Sequence, residues 1–530
     1  MRHDELSEMV RRIIGDPTLT FHQRRHHLAA AAESVLDPPA VSDACRDALE
    51  KRIICNMFEG NAPYRARYIL PDYAKALAEG SPSLELEPPT DFDDALNFLL
   101  ILYQHVPSIT GYPVYLGDLD ALLSPYVDDV SDDHMRSSLR RFWIALDRML
   151  PDAFVHANIG PTDNRVARTI LDLERELLQV VPNLTLKVDP DVTPDDLVLD
   201  AVRTVFECGK PHFVNHPMMV GDLGDRYGVV SCYNSLRVGG GAHTLNRLDL
   251  HAAALQHAGP LDRFLDETLP YYVELTAELI ESRVRFLVEE ARFFEHEPLA
   301  VDGLITLDEF APMFGVFGLA EAVATLLDHH AGLDHHAGRS DGTDTGDTHG
   351  VYGRDTEANE LSYRIIQAVA ELVAARPMPY SNANGGRCWL HSQSGIDTDS
   401  GTTAGTRVAI GTEPPMWEHI DAVAPHHRYF ASGVSDIFHV EDTARRNPEA
   451  LVDIIRGAFR RGMRDFTFNL TTNGFVRITG YLVRVSDLEC FAESGARHGS
   501  TTFAAGSMHH GDVTKRAIKR VGVRERSPSR

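Results

Sequence analysis

The run from Phe466 to Val485 constrains this chain most, because three local signals in it agree on one shape. Phe466, Phe468 and Leu470 alternate with Thr467 and Asn469, the period of a half-buried strand. Thr472-Asn473-Gly474 follows, and Asn-Gly tolerates positive φ at both central positions of a hairpin turn. The pattern predicts a second strand from Phe475 to Thr479 running back, Gly480 at its end, and Tyr481 to Val485 extended again. A glycine in such a run marks a tight bend or a close backbone approach.

Glycine also supports one chemistry that no other residue does. Loss of a Cα hydrogen leaves a radical that flattens fully, with no Cβ in the way. The preceding amide nitrogen donates electron density to it, and the following carbonyl withdraws density. Such a radical can be held in a buried loop and exchanged with a cysteine thiol, whose S–H bond is of comparable strength. A tight bend and a radical store are both open readings of Gly480 from its neighbours alone.

A chain of 530 residues with 43% hydrophobic residues can bury a large core. Its 77 acidic against 51 basic residues leave a net charge of −26, which argues against a nucleic-acid-binding surface. The charged, amphipathic start from Met1 to Asp16 lacks a signal peptide's apolar core. The apolar stretch from Ala95 to Tyr103 is too short to span a bilayer, so a soluble, cytoplasmic chain is expected. Cys45, Cys55, Cys208, Cys232, Cys388 and Cys490 show no C-x-x-C spacing, which leaves no zinc ribbon or thioredoxin-like motif.

Residues 1–190 are expected to be mainly helical, 191–445 to carry the cysteine loop, 446–500 the Gly480 segment and 501–530 a flexible tail. Leu96, Leu99, Leu100 and Tyr103 share a helical face after the acids at 91–94, and Arg140 to Leu150 form another such stretch. Thr193-Pro194-Asp195-Asp196 predicts a helix with a capping hydroxyl, ended by Gly209 and Pro211. The apolar run Tyr227 to Val230 delivers Ser231-Cys232-Tyr233-Asn234, followed by Gly239-Gly240-Gly241. A cysteine there can sit on a loop projecting into a cavity. Met313 to Leu319 opens into a helix, and the 390–397 and 401–407 stretches are expected as loops over a functional face. Asn447-Pro448-Glu449 starts the last helix, and the 515–530 end, with seven Lys/Arg, is a basic tail.

Cys-Tyr-Asn-Ser-Leu at 232–236, Met-Phe-Gly-Val-Phe-Gly-Leu-Ala-Glu at 313–321, Ala-Pro-His-His at 424–427 and Arg-Ile-Thr-Gly-Tyr-Leu-Val-Arg at 477–484 resemble the YjjI-type glycine radical enzymes. Asn56 to Gly60, Leu70 to Ala74 and His156 to Pro161 extend the resemblance over about residues 50–490. It implies an α/β fold, a ten-stranded barrel wrapped in helices, where the cysteine loop and the glycyl hairpin meet. By the matching positions, Gly480 stores the radical and Cys232 becomes the thiyl that takes hydrogen from a small molecule. It also implies a separate radical S-adenosylmethionine activase, because this chain lacks the cysteines for an iron–sulfur cluster. A homodimer, with no bound metal, is expected with it.

The departures bear on the reaction. Pyruvate formate-lyases carry two adjacent cysteines, whereas Ser231 and Tyr233 flank Cys232. Glycyl radical dehydratases and decarboxylases resemble one another in a Cys-x-Glu pattern, and Asn234 stands at that position here, unable to act as a base. Anaerobic ribonucleotide reductases have a four-cysteine zinc site near the glycyl loop, and here Cys490 alone follows Gly480. Candidate acid/base or substrate-binding groups are therefore His212, His391, His426 and Glu321. Glu321 could equally favour its helix start. The histidines at 329–357 stand among Asp, Gly and Thr without a known ligand spacing and read as a surface insertion. Two other classes stay open: a silent binding or scaffold protein of the same fold, and a metal hydrolase using those histidines.

Overall fold

A computed structural model describes residues 3–486 and 489, save 18, 20, 34, 37, 38, 57–62, 107–112, 150–153, 331–349, 393–401, 471, 472, 479 and 480. Sixteen strands occur among the described residues. The first eight are β1 (Ile54–Cys55), β2 (Tyr68–Leu70), β3 (Pro113–Asp118), β4 (Phe154–Ile159), β5 (Asn183–Val188), β6 (His212–Asn215), β7 (Tyr227–Val230) and β8 (Asn234–Arg237). The others are β9 (Gly240–Ala242), β10 (Leu245–Asp249), β11 (Met313–Phe317), β12 (Trp389–His391), β13 (Asp436–Val440), β14 (Asp465–Leu470), β15 (Phe475–Ile478) and β16 (Tyr481–Arg484).

Two large sheets hold ten of these strands, six in the order β13-β14-β6-β5-β4-β3 and four in the order β1-β10-β11-β12. The strands β3 to β6 run parallel, and β14 pairs antiparallel with β6 while running parallel to β13. The sheets are stitched where the Ser392 N–H donates to the Gly433 carbonyl (2.9 Å) and the Ser432 hydroxyl donates to the Leu390 carbonyl (2.8 Å). This is the mixed α/β architecture expected, with ten strands in the two sheets and helices around them.

Period-two alternation explains how one wall serves both core and site. On one side of the six-stranded sheet lie Val155, Ala157, Ile159, Leu184, Leu186, Val188, Phe213, Phe466 and Phe468, all buried. The helix Glu449–Arg460 covers part of this side, with the Phe459 and Phe466 rings 5.4 Å apart. The alternate residues are His156, Asn158, Asn183, Thr185, Lys187, His212, Asp465, Thr467 and Asn469, and these are buried too. Both faces are therefore removed from water, one apolar and one polar, and each polar group there needs a partner.

That double burial corrects the reading of the C-terminal run. β14 is a central strand rather than half of a hairpin, and β15 pairs with β16, Ile478 opposite Tyr481. Asn473 and Gly474 still turn the chain: Gly474 has φ +75°, and the Asn473 side chain accepts from the Phe475 N–H at 3.1 Å. The region before residue 190 supplies helices as expected, and also β3, β4 and β5, so the six-stranded sheet crosses that boundary. The helix Asp195–Cys208 forms where expected and ends on Gly209 at φ +69°. Thr193 does not cap it, because its hydroxyl is spent on the Pro161 carbonyl at 2.8 Å. His391 lies on a strand, β12, where a loop was expected.

Residues 331–349 of the histidine-rich stretch, with His335, His336 and His349, lie outside the described residues. The remainder belongs to the body of the fold. Tyr352 is buried and donates to the Thr406 carbonyl, and Asp355 caps the helix Thr356–Ala375. Residues 350–357 are therefore part of the fold rather than of a surface insertion.

Candidate active site

The strands β7 and β8 pair down to Val230 and Asn234, which leaves Ser231-Cys232-Tyr233 as the tip of a hairpin. Ser231 (φ 57°) and Tyr233 (φ 64°) are both left-handed, a conformation that costs side-chain-bearing residues about 1–3 kcal/mol each and survives where the surroundings over-determine it. Here they do. Asn158 of β4 exchanges two hydrogen bonds with the Val229 backbone, at 2.9 and 2.8 Å. Asn234 donates to the Val230 carbonyl at 3.0 Å, and the Ser235 N–H donates to the Ser432 carbonyl at 2.9 Å. Gly433 then closes on the loop so tightly that a Cβ there would stand 2.5 Å from the Tyr233 carbonyl oxygen. Cys232 is 7% exposed, with the Ser231 hydroxyl 3.9 Å from its sulfur.

Other cysteines have settings that suit inert packing. Burial pushes the Cys45, Cys208 and Cys388 thiols up to about 12. Cys45 and Cys208 donate to backbone carbonyls, of Leu275 and Thr204. Cys490 lies outside the described residues.

Two buried polar lines run from the cysteine loop. The first begins at the Ser231 carbonyl, which His156 Nδ1 reaches at 3.1 Å. His156 Nε2 is 2.7 Å from Thr185 Oγ1, which lies 3.2 Å from His212 Nε2, and His212 Nδ1 is 3.3 Å from Asp465 Oδ2. Burial, above all, holds both imidazoles well below the ordinary histidine range, with Arg477 adding to it. It pushes the Asp465 carboxyl up to about 8, against the pull of Ser435, His427, Arg477 and Arg407.

The second line leads to the C-terminal strand pair. Arg477 of β15 is fully buried; it donates to the Tyr233 hydroxyl (2.9 Å), to Asn183 Oδ1 (3.2 Å) and to the Gly209 carbonyl (2.9 Å). Cys208, Phe475 and Leu482 form a small apolar cluster beside it. Gly480, three residues after Arg477, lies with Thr479 outside the described residues, between the paired ends Ile478 and Tyr481.

The four acid/base candidates fall in different places. His212 belongs to the line behind the cysteine loop, its ring 4.1 Å from that of Tyr233. His391 is buried with Nδ1 3.3 Å from the Ser432 carbonyl, against Gly433 and so beside the loop. His426 is elsewhere: its Nε2 meets the Ser362 hydroxyl at 3.1 Å between two helices, and burial lowers it to about 3. Its neighbour His427 faces the sheet instead, 2.9 Å from Asp436, whose pKa the pair holds low despite burial. Glu321 stands in the first turn of the helix Leu319–His330 and accepts from the Thr403 hydroxyl at 2.5 Å.

Sequence reasoning missed His156, Thr185, Tyr233, Asp465, Arg477 and His427. His156, Tyr233, His427 and Arg477 lie in motifs quoted above, so the signal was present for them. Arg407, from the 401–407 stretch, is buried, donates to the Ser435 carbonyl at 2.7 Å and lies within electrostatic reach of Cys232 and Tyr233. Among the described residues no three His, Cys, Asp or Glu side chains group as a metal site, and no helix is long and apolar enough to cross a membrane.

Residues 19–519 match a family model described as glycyl radical enzyme YjjI-like. The chain is 48% identical over 498 residues to the Escherichia coli (strain K12) protein YjjI, spanning 94% of this chain and 93% of that one. A Haemophilus influenzae relative is 36% identical over 508 residues, with 94% and 95% covered. Among solved structures the chain superposes on the B12-independent glycerol dehydratase from Clostridium butyricum with a TM-score of 0.68 at 12% identity, covering 96% and 87% of the two chains. An anaerobic ribonucleotide reductase gives 0.65 at 13% identity, covering 93% and 86%.

Proposed function

The chain belongs to the YjjI-like glycyl radical enzyme family, and from that premise we propose that Gly480 stores the radical and Cys232 relays it to a small-molecule substrate. The Cys232 S–H hydrogen atom passes to the Gly480 Cα, which restores the glycine and leaves a sulfur radical. That thiyl takes a hydrogen atom from a substrate carbon, remaking S–H, and the product radical takes one back at the end of the cycle. The radical is installed by a separate radical S-adenosylmethionine activase. The enzyme works in the cytoplasm as a homodimer.

The observation that carries this reading is the bond from Arg477 to Tyr233. It ties the strand that leads into Gly480 to the residue next to Cys232, through a buried guanidinium with three hydrogen bonds among the described residues. With Asn234 two residues after Cys232 and spent in part on its own hairpin, no carboxylate is supplied at that position. No second cysteine adjoins Cys232 to carry an acyl group.

Oxygen provides the test. A backbone carbon radical adds dioxygen, and the peroxyl product breaks the chain at that residue. Protein activated anaerobically and then exposed to air is expected to release a fragment of 530 − 480 = 50 residues beginning near Tyr481. Unactivated protein in the same air stays whole. Intact activated protein that had shown a glycyl signal, or a cut at another glycine, would remove Gly480 from the mechanism.

A further inference from the structure

The line behind the cysteine loop has one permitted direction. A backbone carbonyl only accepts, so the hydrogen between Ser231 and His156 must sit on His156 Nδ1. Both histidines are fully buried and held neutral, so each ring carries a single N–H. His156 Nε2 is then an acceptor, and Thr185 must give it the hydroxyl hydrogen. Thr185 Oγ1 in turn accepts from His212 Nε2–H. This leaves His212 Nδ1 bare, facing Asp465 Oδ2. A bare nitrogen and a carboxylate oxygen, both fully buried, would repel, whereas a protonated carboxyl donates.

We propose that Asp465 is a neutral carboxylic acid in the native protein, and that the line from its O–H through His212, Thr185 and His156 to the Ser231 carbonyl positions Cys232. Asp465 acts through the others and touches no reacting atom, so it is a positioning residue. Its environment supports the protonated form. His212 of β6 faces it, with His427 from the helix Met416–His427, Ser435 just before β13, Arg407 from the neighbouring loop and Arg477 of β15, and Arg464, Tyr227 and Tyr233 lie within electrostatic reach. Burial outweighs these cations and raises the carboxyl to about 8.

The test has two arms, of which the second alone rests on the radical reading. In the unactivated protein, the infrared difference between the wild type and Asp465→Asn is expected to show a protonated-carboxyl band at neutral pH. That band should fade as pH rises through about 8. Absence of the band at neutral pH would overturn the proposal.

In the activated protein in heavy water, exchange of the glycyl α-hydrogen through a thiol collapses the hyperfine doublet of the radical. Asp465→Asn keeps an N–H facing His212 and should collapse within several-fold of the wild-type rate, without the wild type's loss of rate above about pH 8. Asp465→Ala breaks the line at its end and Thr185→Val in its middle. Each should slow collapse on the order of a hundredfold, the cost of misplacing a reacting group by about 1 Å. Should Asp465→Ala fail to fold, the isosteric Thr185→Val decides the arm. Wild-type rates in Thr185→Val, or a loss of rate above pH 8 persisting in Asp465→Asn, would overturn the positioning role. A wild type that shows no collapse would fault the relay to Cys232, and the infrared arm would then decide the state of Asp465.

Discussion

One methyl group added at Gly433 tests whether the cysteine hairpin is held as tightly as its geometry indicates. The alanine Cβ would stand 2.5 Å from the Tyr233 carbonyl oxygen, 2.9 Å from His391 Nδ1 and 3.1 Å from Asn234 Cα. Ordinary contact begins at 3.4 Å, so the hairpin must retreat by 3.4 − 2.5 = 0.9 Å or the clash must be borne. Two of the three obstacles are backbone atoms, which cannot rotate aside. Gly433 also has φ +137°, where a side chain adds about 1–3 kcal/mol, and overpacking adds about 1–3 more. If the hairpin holds, Gly433→Ala loses about 2–6 kcal/mol, read as a lower denaturant midpoint. If the hairpin yields, stability is largely kept, and collapse of the glycyl doublet in heavy water slows on the order of a hundredfold. Gly221→Ala serves as the control: it lies in the helix His216–Leu223 with nothing within 4 Å of the added carbon, and should gain up to about 1 kcal/mol. A Gly433→Ala protein with both the wild-type midpoint and the wild-type exchange rate would refute the reasoning.

Further outcomes follow from the same structure. Tyr233→Phe removes one of the three acceptors that Arg477 has among the described residues and should cost about 1.5 kcal/mol, the lower end for a charged hydrogen bond; hydrogen exchange at Phe475–Arg484 should quicken. Cys232→Ser should keep the glycyl signal yet lose both exchange and turnover, since an O–H bond is too strong to give its hydrogen to that radical. His426 has a folded pKa of about 3, below the unfolded 6.5, so its contribution is complete above pH 6.5 and is lost as pH falls toward 3. Acid titration of the unfolding midpoint should therefore be shallower in His426→Leu. Replacing 331–349 by a short Gly/Ser linker should leave activatable radical content unchanged, because loop length costs little; loss of signal would assign that stretch a role.

The sequence made some of this architecture legible and hid the rest for identifiable reasons. Gly209 ends its helix, Glu449 begins one, and the run from Met313 becomes a strand and then a helix, because caps and breakers act locally. Cys232 follows an apolar run onto a loop as the pattern implies. The alternation of β14 was visible too, but alternation says only that two faces differ, not that water covers one of them. Thr467 and Asn469 were therefore read as solvent-facing, and Asp465 passed unnoticed just before them. That His427 rather than His426 meets the sheet depends on Asp436 of β13, which the helix sequence does not show. Nor does the Asn473-Gly474 turn signal say which strand lies across from β15.

The separation of the two halves of the site along the chain also sets a time. His212 and Asp465 are 253 residues apart, and Tyr233 and Arg477 are 244 apart. At about 5–20 residues per second, a ribosome that has just made Tyr233 needs roughly 12–50 s more to reach Arg477. Early in that interval the nascent hairpin has β3 to β6 behind it but lacks Gly433, β14 and the guanidinium that later grips Tyr233. The hairpin that carries Cys232 is thus completed only after β14 and β15 have been made. A message truncated before codon 465 would yield a chain with the Cys232 hairpin at an open wall, a substrate for chaperones.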